Sequence, residues 1–539
     1  DKLHACAKHF AVHSGPEWNR HSFDAKDIDP RDLWETYLPA FKDLVQKGNV
    51  REVMCAYNRF EGDPCCGSNR LLMQILRDEW GYKGLVVSDC WAISDFYRPN
   101  AHQTHPDAAH ASASAVLNGT DLECGPEFGH LTEAVKEGLI DEARIDASLL
   151  RLLTARYQLG EMDNGNAWPI PYSVVNSKPH QDLALRMARE SIVLLQNKDN
   201  ILPLDKKLTV AVMGPNANDS VMQWGNYNGF PAHTVTLLEG IRAKLPDGQV
   251  IYEPGCEHTG GDASLNLQAA VDKVKDADVV IFAGGISPAL EGEEMPVTIP
   301  GFKGGDRTDI ELPEIQRSLV KALVDAGKKV IFVNYSGSAV ALTPESERCE
   351  AILQAWYPGQ AGGTAVADVL FGDYNPAGRL PITFYKNTAQ LPDFEDYSMK
   401  GRTYRYFKDA PLFPFGYGLS YTTFAYGNAH IYRADNAKND MLLYIPVTNT
   451  GKREGEEVVQ VYLRKPGDTD APQRTLRGFK RVKLNAGQQQ EVCISLTDES
   501  FEWFDTNTNT MHPVAGNYEL LYGGSSRLED LKVLPIEIK

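Results

Sequence analysis

The strongest constraint on this chain is the segment Leu85-Val86-Val87-Ser88-Asp89-Cys90-Trp91, where an uninterrupted apolar run ends on a carboxylate. A short apolar run bounded by turn signals suits a strand buried on both faces. A buried strand that delivers an aspartate places a charge where a pocket is expected. Arg70 to Trp80 sets Leu71, Leu72, Ile75, Leu76 and Trp80 on one side of a 3.6-residue period, so it reads as an amphipathic helix, ended by Gly81-Tyr82-Lys83-Gly84. Leu33 to Lys47 reads as a second helix with Gly48 as its stop. Ala5 to His9, Val53 to Tyr57 and Thr120 to Cys124 read as further strands, the last after an Ala-rich helix from Pro106 to Leu117.

Strands alternating with helices imply parallel pairing through right-handed crossovers. Lys8, His9, Tyr57, Asp89 and Glu123 stand where each strand hands over to its loop, the face on which a parallel barrel carries its catalytic groups. Four strands are half of an eight-stranded barrel, which takes ~250 residues. The expectation is therefore the C-terminal half of a TIM-like (β/α)8 barrel, from a longer polypeptide whose first four units precede Asp1.

The 539 residues leave room for three or four domains at ~150 residues each. Glu161 to Gln181 turns rich in Pro, Asn and Gly, a linker composition. Beyond it, a helix from Asp182 to Leu195 is expected, then strands at 209–213, 278–283, 329–334 and 351–356. Helices between them, at Ser264 to Asp276 and Pro313 to Ala326, and one after the last, at Thr364 to Leu370, make this a second α/β unit. Gly284-Gly285 follows a strand, but G-x-G-x-x-G is missing, which argues against a dinucleotide site. After Pro414-Phe415-Gly416-Tyr417-Gly418 the helical period disappears. Short runs at 442–447, 457–463, 490–496 and 517–521 then read as a β-sandwich. The expected boundaries are 1–160 for the barrel part, 161–181 for the linker, 182–400 for the α/β sandwich and 401–539 for the terminal sandwich.

A net charge of −18 disfavours nucleic acid or an anionic membrane as partner. No run of 18 apolar residues exists, so no membrane span is expected. Nine cysteines without CxxC spacing read as mostly free, buried thiols, Cys90 and Cys124 included. His102, His105 and His110 lack an HExxH frame, so no metal and no cofactor is expected. Those histidines are assigned instead to a polar loop lining the pocket after Asp89. A second carboxylate for hydrolysis is sought in Leu290-Glu291-Gly292-Glu293-Glu294-Met295, on a loop too long and Gly-rich to be a mere connector.

KHF at Lys8, VMCAYN at Val53, SDCWAI at Ser88, GTDLECG at Gly119, LLQN…LPL at Leu194, GGDR…LP at Gly304 and PAGRLPITF at Pro376 together resemble glycoside hydrolase family 3. The similarity covers essentially the whole chain and makes the terminal sandwich similar to a fibronectin type III-like domain. It implies an exo-acting, retaining β-glycosidase. Carried over, Asp89 is the nucleophile and Glu293 the acid/base, with Glu291 and Glu294 left open as alternatives. Lys8 and His9 hydrogen-bond sugar hydroxyls; Met54, Tyr57 and Trp91 line the same subsite, although Cys90 intervenes where many relatives set the aromatic directly after the Asp. The resemblance favours a β-glucosidase, with β-xylosidase as the alternative, and an N-acetylhexosaminidase is disfavoured. A catalytically inactive carbohydrate-binding relative is the rival, against which the pair Asp89 and Glu293 argues. An oligosaccharide or glycoside is the expected partner, a homo-oligomer is left open, and a secreted or periplasmic location is expected.

Overall fold

The computed structural model describes residues 3–162, 170–246, 248–260, 267–433 and 439–539. The chain forms two compact units, one of Asp1–Pro171, Asp393–Met399 and Trp503–His512, the other of the remaining residues.

In the first unit the strands Cys6–Phe10, Glu52–Cys55 and Leu85–Ser88 lie parallel and in chain order. Val87 adds a parallel bridge to Leu122. The strand expected at Thr120 to Cys124 is thus only a bridge. Asp121 turns its carboxylate back into the ladder, where it accepts from Val86 N–H at 3.0 Å and from Arg77 and Arg151 at 2.7 Å each. Phe10, Leu71, Leu72, Leu76, Val86, Ala111 and Ala115 close the core against the helices.

The helix expected from Leu33 to Lys47 is broken in two. Leu33–Tyr37 is wound wide, with Leu38 N–H on Leu33 O at 3.0 Å, and Pro39–Gln46 continues from a proline that has no N–H to extend the earlier turn. Asn69–Glu79 is wound wide too, Trp80 N–H reaching Ile75 O at 3.0 Å. Ala108–Leu117 begins on Asp107, whose side chain accepts from His110 N–H.

The distant segment Asp393–Met399 packs on the loop that follows the first strand. Tyr397 stacks on Phe23 at 4.9 Å and its hydroxyl accepts from Ser14 N–H at 3.0 Å, while Glu395 accepts from Asn19 at 3.0 Å.

The second unit holds a six-stranded sheet in the order Val193–Asn197, Ala351–Gln354, Lys329–Tyr335, Val279–Gly285, Val210–Met213, Val250–Tyr252. Its first strand runs antiparallel to its neighbour and the rest are parallel. Here the expectation of a helix to Leu195 is corrected. The helix is Lys178–Ser191, Ile192 turns extended, and Val193 to Leu195 are buried in the sheet. Ile192 and Val193 are β-branched and sit in a run apolar on both faces, which suits a sheet better than a helix exposed on one side. Leu267–Lys273 and Glu314–Asp325 are the helices expected between the strands and Gly362–Leu370 the one expected after the last; 264–266, the expected start of the first, lies outside the described residues. Val250–Tyr252 is an edge strand too short for its pattern to be read.

The terminal sandwich pairs Met441–Asn449 with Phe424–Tyr426, His430–Tyr432 and Gln489–Leu496, and a second sheet orders Thr475–Leu484, Gly455–Arg464, Gly516–Gly523, Lys532–Ile538. Met441–Asn449 alternates buried and half-buried residues, the pattern of a strand with one face in the core. Among the described residues no helix is long and apolar enough to cross a membrane.

Candidate active site

The Leu85–Ser88 strand is the last of the three paired parallel strands, with only the Leu122 bridge on its far side, and pairing carries on one residue further, Asp89 N–H donating to Cys55 O at 3.2 Å. Asp89 is only 6% exposed. One carboxylate oxygen accepts from Cys90 N–H at 2.8 Å, and the other lies 3.2 Å from His9 Nε2. Burial pushes the Asp89 carboxyl above its ordinary value, opposed by the Cys90 N–H and by the charges of Lys8 and Arg20.

The turn after Asp89 is held at three points. Cys90 is disulfide-bonded to Cys124, Trp91 N–H donates to Cys124 O at 2.7 Å, and Tyr57 hydroxyl donates to Cys90 O at 2.8 Å. A second disulfide joins Cys55, at the end of the neighbouring strand, to Cys66. The reading of these four as free thiols is therefore corrected. Spacings of 34 and 11 residues carry no signature in sequence; adjacent strand ends bring the sulfurs together. Cys65, Cys256 and Cys349 are free and buried as expected, Cys493 is half-buried and Cys6 is exposed.

Tyr57 is buried, Met54 and His9 are half-buried, and Lys8 is exposed. Trp91 takes a left-handed backbone (φ 59°), costly for any residue but glycine, and its indole is 56% exposed. Glu123 does not join this group. Its carboxylate accepts from Glu127 and Phe128 N–H at 2.9 and 2.5 Å, capping the helical turn that follows. Of the three histidines assigned to the pocket loop, His102 donates from Nε2 to Tyr57 O at 2.7 Å, while His105 bonds Thr104 and His110 bonds Asp107.

Three residues of the loop after the first strand complete the cluster and escaped sequence reasoning. The Arg20 guanidinium lies 4.3 Å from the centre of the Tyr57 ring and pairs with Glu17 at 2.9 Å. His21 packs edge-on against Tyr57 at 4.7 Å while its Nδ1 meets Asp95 at 2.7 Å. The His13 ring is 5.0 Å from His9, and burial pulls its pKa down. The available signal was the density of His and Arg in HSGPEWNRH directly after the Lys8-His9 strand.

In the second unit the acidic segment follows the Val279–Gly285 strand and is folded back on itself by the short strands Thr298–Ile299, Phe302–Lys303 and Asp306–Arg307. Gly305 is required there. Its φ is 108° and a Cβ would stand 1.9 Å from Gly292 O, while Gly292 N–H donates to Gly305 O at 3.0 Å. The fold separates the three acids. Glu291 is filled by donors, with Gly337 N–H at 2.6 Å, Ser338 hydroxyl at 2.5 Å and Tyr357 hydroxyl at 2.7 Å, beside the half-buried Arg307. Glu293 accepts from the Tyr227 hydroxyl. Glu294 is exposed, with a left-handed backbone.

A parallel sheet presenting a buried carboxylate among basic side chains, followed by an α/β sandwich and a β-sandwich, has the parts of a multidomain hydrolase. Residues 1–155 match the glycosyl hydrolase family 3 N terminal domain, 192–421 the glycosyl hydrolase family 3 C-terminal domain and 457–526 a fibronectin type III-like domain. The chain belongs to glycosyl hydrolase family 3 and is an exo-acting glycoside hydrolase. It is 45% identical to a xylan 1,4-beta-xylosidase of Xylanibacter ruminicola, over all of this chain and 79% of that protein. To the periplasmic beta-glucosidase of Salmonella typhimurium it is 33% identical, over 92% of this chain and 69% of the relative. An exo-beta-xylosidase of the same family, solved with a xylobiose aziridine probe, superposes with a TM-score of 0.89 at 30% identity, over all of this chain and 72% of that one.

Proposed function

We propose that the protein is a retaining β-xylosidase that releases terminal xylose from β-linked xylosides, with Asp89 as nucleophile and Glu293 as acid/base. The observation that carries the sugar preference is the 45% identity, along the whole chain, to a relative named as a xylosidase, against 33% to one named as a β-glucosidase. The alternative raised from the sequence thus takes precedence over β-glucosidase. For the acid, the support is that Glu291 already has three donors on its carboxylate, which leaves Glu293 better placed in chemistry to give up a proton.

In this reading Asp89 attacks the anomeric carbon as Glu293 protonates the departing oxygen, and water then hydrolyses the glycosyl-enzyme with Glu293 as base. Lys8 and His9 bind hydroxyls of the terminal sugar, and Met54, Tyr57 and Trp91 line its ring. The kcat/KM for nitrophenyl β-xyloside is expected to exceed that for the β-glucoside by about tenfold to a hundredfold, the worth of excluding one hydroxymethyl group. Equal or reversed rates return the protein to the β-glucosidase reading.

The pH profile tests Asp89. The nucleophile works ionised, and burial raises its pKa, so the acid limb of kcat/KM lies above the ordinary aspartate range. Lys8 pulls that pKa down, so Lys8→Met moves the limb to higher pH. A limb that stays or moves to lower pH removes Asp89 from the role. We infer also that the protein works outside the cytoplasm, since two disulfides suit an oxidising compartment and one relative is named as periplasmic.

A further inference from the structure

In the second unit, the segments leaving the carboxyl ends of Val210–Met213, Val250–Tyr252 and Val279–Gly285 line an open, wide-mouthed cavity of about 350 Å³. This edge of an open α/β sheet is where ligands settle. The volume is at the low end of the ~300–1,000 Å³ of small-molecule sites. Its wall includes Pro215, Glu257, His258, Thr259, Ser287 and Leu290, and among the described residues no lysine or arginine lines it.

The hydrogen bonds around His258 fix its chemistry. Asn216 is buried and its amide NH2 donates to the carbonyls of Gly284 and Ile286 at 3.0 and 3.2 Å, so its oxygen is the atom that meets His258 Nε2 at 2.6 Å. That oxygen accepts, which places the proton of His258 on Nε2 and leaves Nδ1 as an acceptor. Burial pulls the imidazole pKa below its ordinary value, opposed by the nearby Asp219 and Glu257. Ser287 Oγ accepts from Ala289 N–H at 3.1 Å, so its own O–H is presented as a donor. The wall therefore offers acceptors at His258 and Glu257, hydroxyls at Thr259 and Ser287, and apolar surface at Pro215 and Leu290. Without a cation it suits a neutral, hydroxyl-rich ring and not an anion.

We propose that this cavity binds one pyranose ring of the leaving-group portion of an oligosaccharide. The inference rests on Glu293 as the acid: Ser287 to Leu290 open the loop that carries Glu293 three residues later, and the acid of a glycosidase stands on the leaving oxygen.

The test is calorimetric titration of protein inactivated by Asp89→Asn with xylotriose, cellotriose and the matching monosaccharides. Ala289→Trp, which sets an indole into the cavity from an exposed lining position, is expected to weaken binding of the preferred trisaccharide at least about tenfold and to leave the monosaccharide within about twofold. Thr259→Val, isosteric and lacking the hydroxyl, is expected to cost about threefold to tenfold and keeps the test decisive if the tryptophan variant does not fold. In active protein the same changes raise KM for the trisaccharide and leave that for nitrophenyl glycosides alone. Unchanged trisaccharide affinity, or equal loss for monosaccharide and trisaccharide, overturns the proposal. A preference for cellotriose, or a lack of xyloside turnover with the binding difference intact, overturns only the xylosidase reading.

Discussion

Asp89→Ala is expected to lower kcat by at least ~10⁴-fold on every substrate, aryl glycosides included, because the covalent step then has no nucleophile. A good leaving group cannot compensate for that loss. The variant is nevertheless expected to fold. Burial raises the Asp89 pKa, so the fold holds the ionised carboxylate at a cost near neutral pH, and alanine removes that cost together with the Cys90 N–H contact. The turn keeps its disulfide and the Tyr57 hydroxyl bond to Cys90 O. The measurements are kcat on nitrophenyl xyloside and the thermal midpoint. Activity within tenfold of the parent would end the assignment, and so would inactivity explained by unfolding if Asp89→Asn stayed active.

Glu293→Ala is expected to behave differently. Proton donation by a placed carboxylic acid contributes ~10²–10⁴-fold, so xylobiose hydrolysis should fall by about that factor. Nitrophenyl xyloside, whose leaving group needs little protonation, should still form the glycosyl-enzyme. Without the base that intermediate accumulates, and azide should restore turnover by releasing a β-glycosyl azide. Glu291→Ala and Glu294→Ala are the controls. Glu291 holds Gly337, Ser338 and Tyr357 together, so its loss is expected to disturb the loop for all substrates alike, without azide rescue. Rescue of either control in place of Glu293→Ala would move the acid to that residue.

The nucleophile candidate was legible because a strand buried on both faces has few reasons to end on a carboxylate. Its surroundings were not. Arg20, His13 and His21 lie in a loop with no period, and their approach to Tyr57 depends on how Ser14 and Asn19 are tied to Tyr397 and Glu395, nearly four hundred residues away in sequence. Glu123 looked equivalent to Asp89 at a strand end, but backbone N–H groups four and five residues on captured it. Val193 to Leu195 extended the apolar run of the preceding helix, and burial on both faces beside Ala351–Gln354 makes that run a strand.

Alternating apolar runs and amphipathic stretches thus sufficed for the parallel α/β order, the terminal sandwich, the buried Asp89 and the acidic loop, because burial periodicity is local and written residue by residue. Tertiary structure alone decided which cysteines pair, which of three neighbouring acids is filled by donors, and which basic and aromatic groups surround Asp89. Those outcomes depend on atoms brought within a few ångströms by the packing of distant segments, and spacing along a chain holds no measure of that distance.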